Sequence, residues 1–426
     1  MTLDALTAAR IGADAVYYEV SKRQMVAGEG VYLIDEDGRS YIDCASATFN
    51  LSLGYGHPAV IAAMRAQADR LVHVTSGFQT EVINELCAML VELAPAGMAR
   101  AHLKVASGSG ANEGAIKMAQ RATGARDVIT LFRSHHGQTA LTASISGNAF
   151  RREALVDSYP NLIVPDPYCR RCFYGKSSPD GCGFVCVDRI DQFIEFASRG
   201  DVAAIMVEPI SGNGGNIVPP PGYFATLQEF CAARGIKIIM DEIQTGIGRT
   251  GYMFAAEYFG ITPDAITVAK GLGGSGAQVA GIITTEEMAG LPINEHSFTY
   301  GSNLMAAAAG VATLRTVSRP EFLENVRLTG DYILDRLRST LGPHRNVFDV
   351  RGVGLMIGVE VVDDEGNPNA ALVNHLAARA TEHGLIVRTS RYGRGNVLKI
   401  RPPLILTLDE ADLVCSRFEA LFAEEL

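Results

Sequence analysis

Short runs rich in β-branched residues recur along the chain, each followed by a longer stretch with helix-compatible spacing: Val128 to Phe132, Val202 to Val207, Ile236 to Met240, Ala265 to Ala269 and Gly281 to Thr284. These runs are apolar at successive positions rather than alternate ones. Both faces of each must therefore be buried, which is what a parallel strand between two helical layers requires. The pattern predicts an α/β fold, with a mostly parallel, doubly wound sheet in a large domain over residues 60–310. Beyond Leu314 the rhythm changes to an amphipathic helix, the run Phe348 to Val362, a helix near Ala370 to His383, the runs Leu385 to Thr389 and Val397 to Leu406, and a last helix from Asp409. Closely spaced strands with few crossovers predict a smaller α+β domain over residues 311–426. Residues 1–59, with a hairpin between Gly30 and Asp43 turning at Asp37-Gly38, are expected to complete that smaller domain.

Composition works mainly by exclusion. With 426 residues, 47% apolar and 20% charged, the chain can bury its cores without disulfides or structural metals. A net charge of −10 argues against general nucleic-acid or anionic-membrane binding, both of which need surplus positive charge. Glycine, at 44 residues, has no strict period and tryptophan is absent, so collagen-like and tryptophan-patterned repeats are excluded. The stretch Met1 to Arg10 carries Asp4 and does not read as a secretory leader, and no run reaches the roughly 18 apolar residues of a membrane span. A cytoplasmic enzyme is the expectation.

Four of the eight cysteines, Cys44, Cys87, Cys231 and Cys415, stand singly in apolar or helical contexts and read as buried thiols. Cys169, Cys172, Cys182 and Cys186 fall in one Gly/Pro-containing segment. Two close-spaced pairs are how a tetrahedral zinc knuckle is written, although the second spacing, C-x-x-x-C, is looser than a zinc ribbon. Zinc and free thiols in a surface insertion both stay open. No metal ligand is assigned, and the segment is expected to be dispensable for chemistry.

Polar residues at the ends of the apolar runs carry the chemistry. Glu208 directly follows VAAIMV, Asp241 follows IKIIM, His135 and His136 follow VITLF, and Lys270 follows AITVA. In an open parallel sheet the ligand crevice lies outside the carboxyl ends of the strands, so acid, base and amine are aimed at one place. The run Ser107 to Glu113 precedes a clear helix, GAIKMAQRATG, and offers free backbone N–H groups and a hydroxyl at the positive helix end, where a phosphate would bind. An amine, a carboxylate and a phosphate cradle together are what pyridoxal 5′-phosphate needs.

The stretches SGSGANEGAIKMA, HHGQT, VEPISGNGGNIVPPPGYF, MDEIQTGIGRTG, ITVAKGLGG, TYGSN and VLKIRPPL resemble, in order, those of the class III (ω-type) aminotransferases, pyridoxal-phosphate enzymes of fold type I. The resemblance implies that Lys270 is the Schiff-base lysine and the acid/base that moves a proton between the substrate carbon and the cofactor C4′. It implies that Asp241 pairs with the pyridinium nitrogen, Gln244 bonds the phenolic oxygen, and Ser109 and Gly110 hold the phosphate. Glu208 joins this cofactor shell. His135 stands where the family usually stacks Tyr or Phe on the ring, and Thr299 resembles a threonine that reaches the phosphate across a dimer interface, implying at least a homodimer.

The departures concern substrate. Family members that bind an α-carboxylate use an Arg two residues before the Pro-Pro pair, switched by a Glu five residues after the E-P glutamate; here these positions are Lys399 and Asn213. The KIRPPL and GGNIVPP stretches resemble the branch that includes ethanolamine-phosphate phospho-lyase. Arg401, Arg391 and Arg394 are candidate substitutes for the missing arginine, and Phe49 and Asn50 are candidate substrate contacts. The resemblance thus implies an aminotransferase acting between an amine or amino sugar and a 2-oxo acid, with a phospho-lyase or epimerase as the alternative.

Overall fold

The computed structural model describes residues 23–75, 77–149, 161–176, 181–288, 290–292 and 294–426. Met1 to Arg10 lies outside them. Strands β1 (Met25–Glu29), β2 (Tyr32–Asp35) and β3 (Ser40–Asp43) form an antiparallel meander, and the β2–β3 hairpin turns at Gly38, where φ is +78°. Helices α1 (Pro58–Arg70) and α2 (Glu81–Leu93) lead into β4 (Arg100–His102), and α3 (Gly108–Thr123) follows.

The central sheet then collects β5 (Asp127–Leu131), β6 (Asn161–Val164), β7 (Val202–Val207), β8 (Lys237–Asp241), β9 (Ala265–Val268) and β10 (Gly281–Thr284). Its order is β4-β10-β9-β8-β7-β5-β6, with five strands from β9 to β6 parallel. Gly281 to Thr284 departs from the expectation of a parallel strand: β10 runs antiparallel to both β9 and β4. Apolarity on both faces reports burial, not direction, so a covered antiparallel strand has the same pattern. On β7, Ala204 and Met206 face the core built around α3, while Ile205 and Val207 face the opposite core, and both sets are buried.

Helix α4 (Leu304–Val317) packs against α1 and α2, and its residues through Val317 belong to the large core. It runs straight through residue 310, so the packing unit ends after this helix. The smaller unit has α5 (Pro320–Thr340), the hairpin β11 (Val347–Val353) and β12 (Met356–Val361), α6 (Ala370–Arg379), the short strands β13 (Leu385–Ile386) and β14 (Arg388–Thr389), β15 (Val397–Ile400) and α7 (Leu408–Glu425). Its sheet runs β11-β12-β15-β14, and β13 pairs parallel with β3, which ties the N-terminal meander to this unit. Val31, Ile42 and Cys44 share its core.

A buried ionic clasp joins the two units. Arg351 donates to Glu360 Oε2 at 2.7 Å and Asp349 Oδ2 at 3.0 Å within the small unit, and to the carbonyl of Gly215 at 2.8 Å in the large one. Tyr168 and Arg171, from the four-cysteine segment, donate to the two oxygens of Glu360. Burial alone would raise the Glu360 carboxyl, but the Arg351 charge and these donors hold it below the usual glutamate range. A depressed carboxyl stabilises the fold above its unfolded value and loses that contribution as pH falls through the folded one. Arg351→Ala is expected to destabilise the protein by about 1–3 kcal/mol, because it removes one of the two cations on a buried carboxylate and leaves Arg171 and Tyr168 to hold it. Denaturant unfolding checks this, and the double variant Arg351→Leu/Glu360→Leu should recover part of the loss.

Candidate active site

Each residue expected at the site is delivered by the end of a strand or the start of a helix. Asp241 is the last residue of β8, Glu208 follows β7, His135 and His136 lie in the turn after β5, and Lys270 stands two residues past β9. Lys270 has φ +39°, a left-handed conformation that a residue with a β-carbon holds only under constraint, and it opens a 3₁₀ turn. With Asp241, Gln244, His135 and Asn50 it lines a cleft of about 380 Å³ whose far wall is the start of α3, Ser107 to Ser109. Tyr392 brings the small unit to the same rim, its ring edge-on to His135 at 6.2 Å.

The carboxylate of Asp241 is the most completely bonded group in the cleft. Its Oδ2 accepts from Asn112 Nδ2 and His136 Nδ1, each at 2.8 Å, and its Oδ1 accepts from the backbone N–H of Ile243. Asn112 is fixed in turn by the Thr267 hydroxyl, which donates to its Oδ1 at 2.7 Å, and Thr267 sits directly across from Asp241 in the β8–β9 register. Donors placed this way compensate a buried carboxylate for the water it has lost. Burial lowers the Lys270 ammonium, partly opposed by the charges of Asp241 and Glu208. Burial thus favours the neutral amine over the ammonium.

Glu208 plays a different part from the expected cofactor contact. It does not line the cleft; its two oxygens accept the backbone N–H groups of His135 and Gly212, each at 2.8 Å, bracing one loop against the other. Burial pushes its carboxyl up. Gly110 is buried and its N–H donates to the Ser107 Oγ cap at 3.1 Å, so Ser107 to Ser109 form the exposed lip of α3. Thr299 is exposed and lies outside the cleft lining, next to exposed Tyr300. Arg401 is 1% exposed and its Nη groups are committed to Gln244 Oε1, Gly212 O and Asn216 Oδ1. Phe49, Lys399 and Arg401 cluster, with Lys399 Nζ 5.0 Å from the Phe49 ring centre. Asn112, Thr267 and Tyr392 had no sequence signal of their own. His136 did, as the neighbour of His135, and it is His136 that touches Asp241.

The residues present fit pyridoxal phosphate. An amine and a held carboxylate face one cleft, and the glycines at its wall leave backbone bare: a Cβ on Gly137 would lie 2.4 Å from Ser109 Oγ, and one on Gly108 would lie 2.8 Å from Ile243 Cδ1. Lys270, Asp241, His135, Gln244 and the Ser107–Ser109 lip would hold it. Bound there, the cofactor supplies a protonated ring that takes up electrons when a bond to the substrate carbon breaks.

Cys169, Cys172, Cys182 and Cys186 are free thiols lining one small cavity of about 20 Å³ beside Tyr174 and Phe184. Among the described residues no group of three or more His, Cys, Asp or Glu side chains is arranged to hold a metal ion. Burial pushes the Cys169 thiol up to about 11 and that of Cys186 to about 12.

Comparison with known proteins agrees with this geometry. The family described as "Aminotransferase class-III" matches residues 15–422. A leucine/methionine racemase of Thermococcus litoralis is 36% identical over 397 residues, 92% of this chain and 88% of that one. An acetylornithine aminotransferase of Methanothermobacter thermautotrophicus is 36% identical over 389 residues, 90% of each chain. A solved amine transaminase from an uncultivated Pseudomonas species, in its PLP-bound form, superposes with a TM-score of 0.89 at 29% identity, covering 96% of this chain and 98% of the other. Among the described residues no helix is long and apolar enough to cross a membrane.

Asp241→Asn keeps the shape of the site but removes the carboxylate's charge, and kcat is expected to fall by about 10²–10³-fold. Because Asp241 is only 4% exposed and accepts three hydrogen bonds, the thermal midpoint should also drop, by an amount corresponding to about 1–3 kcal/mol. Steady-state kinetics beside a melting curve separates the two effects.

Proposed function

The chain belongs to the class III aminotransferase family and is a pyridoxal-phosphate-dependent transaminase, and from that premise we propose that it moves an amino group between an amine or amino sugar and a 2-oxo acid. The observation that carries the reading is the pairing, in one cleft, of a lysine whose ammonium is depressed by burial with a carboxylate held in place by Asn112 and His136. The Nζ of Lys270, once neutral, takes a proton from the substrate carbon and returns it. Asp241 would keep the ring nitrogen of the bound cofactor protonated, and His135, which Tyr392 meets edge-on, would supply a flat face for stacking on it.

The donor preference rests on Lys399 and Asn213. A lysine is a point charge where an arginine would give two parallel bonds to an α-carboxylate, and Asn213 cannot act as the acid that parks such an arginine. A homodimer is supported by the exposed segment at Thr299, where Tyr300 is 70% and Phe298 40% exposed. A second reading, racemisation or epimerisation, draws support from the leucine/methionine racemase and from an alanine/serine racemase of Pyrococcus horikoshii, 32% identical over 412 residues. Phospho-lyase chemistry rests on the KIRPPL and GGNIVPP stretches alone.

Lys270→Ala is expected to lose the visible absorbance of lysine-bound cofactor and all measurable turnover, and activity near wild type would refute the assignment. Enzyme reacted with an amine and freed of it should regain its starting spectrum only when a 2-oxo acid is added; recovery without one would favour racemisation or elimination. Lys399→Arg combined with Asn213→Glu should raise kcat/KM for glutamate relative to the amine, read from single-turnover assays of both donors.

A further inference from the structure

Strands β14 and β15 pair so that Arg388 lies directly opposite Lys399. Like charges facing each other across a ladder repel. Here the repulsion is aggravated by burial, since Lys399 is 4% exposed, and by Arg401, which lies two residues on from Lys399 and so on the same strand face. All three converge on one ring: the guanidinium carbons of Arg401 and Arg388 are 4.2 and 5.9 Å from the centre of Phe49, and Lys399 Nζ is 5.0 Å from it. An aromatic face offsets part of this charge but is no counter-ion.

Among the described residues no carboxylate forms an ion pair with any of the three. Glu208, whose charge reaches Lys399 and Arg401, has both oxygens occupied by backbone donors. The three cations differ in what they have free. The Nη groups of Arg401 are taken by Gln244, Gly212 and Asn216, which leaves only its buried Nε without a partner. Nη1 of Arg388 is buried with no hydrogen-bond partner. Phe49 stands between Thr48 and Asn50, which line the cleft, and the charges of Arg388 and Arg401 are felt at Lys270. Through Phe49 the cluster adjoins the Thr48 and Asn50 wall of the cleft, although none of its own side chains lines it, and it lacks an anion.

We propose that Arg388 and Lys399 together hold the anionic group of a substrate, a carboxylate of the 2-oxo acid or a phosphate of a phosphorylated amine, against the ring of Phe49. Arg401, the cation nearest in sequence to the missing arginine, is instead a positioning residue that fixes Gln244. The proposal rests on the transaminase reading and adds to it the residues that select an anionic substrate.

The test uses the holoenzyme. Calorimetric titrations with propionate and, separately, with inorganic phosphate are made on wild type, Arg388→Ala, Arg388→Gln and Lys399→Met, with the visible absorbance of lysine-bound cofactor recorded for each. Wild type should bind at least one of the two anions, and each variant should weaken that binding by about tenfold or more. Loss confined to propionate assigns a carboxylate, and loss confined to phosphate assigns a phosphorylated substrate. In turnover, KM for pyruvate should rise at least about fivefold more than KM for propanal, which has no carboxylate. Unchanged anion affinity in variants that keep the absorbance band would overturn the proposal, as would equal losses for both acceptors. Absence of the band from wild type would refute the transaminase reading itself, and this proposal with it.

Discussion

A carboxylate buried at the end of a strand is the constraint around which this molecule is arranged. Asp241 lies where five parallel strands end, directly beyond an apolar core of alanine, valine, isoleucine and methionine. Removed from water, its charge has to be repaid by donors, and they come from three separate elements: Asn112 of α3, His136 of the β5 turn and the main chain at Ile243. Those bonds lock the relative positions of the elements that carry them. The start of α3, the His135 turn and the strand bearing Lys270 are thus set by the same atoms that hold the carboxylate, and the cleft inherits its shape from that network.

Much of this was legible beforehand. Runs apolar at every position identified the buried strands, and the polar residues after three of them, His135 and His136, Asp241 and Lys270, identified the crevice, because a strand's exit is where a doubly covered sheet can present chemistry. The direction of β10 was not legible, since covering a strand on both faces gives the same composition whichever way it runs. Nor was the division of labour between His135 and His136: adjacent residues in a turn point apart, and only the fold says which one turns inward. Asn112 and Thr267 look in sequence like a helix residue and a strand residue, and their importance comes from meeting Asp241 across distances of more than a hundred positions or across a ladder.

Charged residues near the substrate proved hardest to read. Sequence proximity favoured Arg401 as the cation for a carboxylate, yet a side chain is available to a ligand only if its hydrogen bonds are not already made, and Arg401 has made most of its own. Arg388, thirteen residues earlier, comes into play through strand pairing, a long-range property. The four cysteines show the converse: a conspicuous local pattern whose visible structural effect is to carry Tyr168 and Arg171 to Glu360.

The grip of Arg401 on Gln244 has one more consequence. Arg401 belongs to the small unit and Gln244 to the large one, and the same guanidinium also holds the backbone at Gly212. Together with Arg351 on Gly215, this sews the two halves along both sides of the loop that runs from Glu208 to Ile217. A binding protein that closes like a jaw has to break such stitches, and opening these two halves would cost every one of them. The cleft is stitched from both units, with Tyr392 of the small one in its lining.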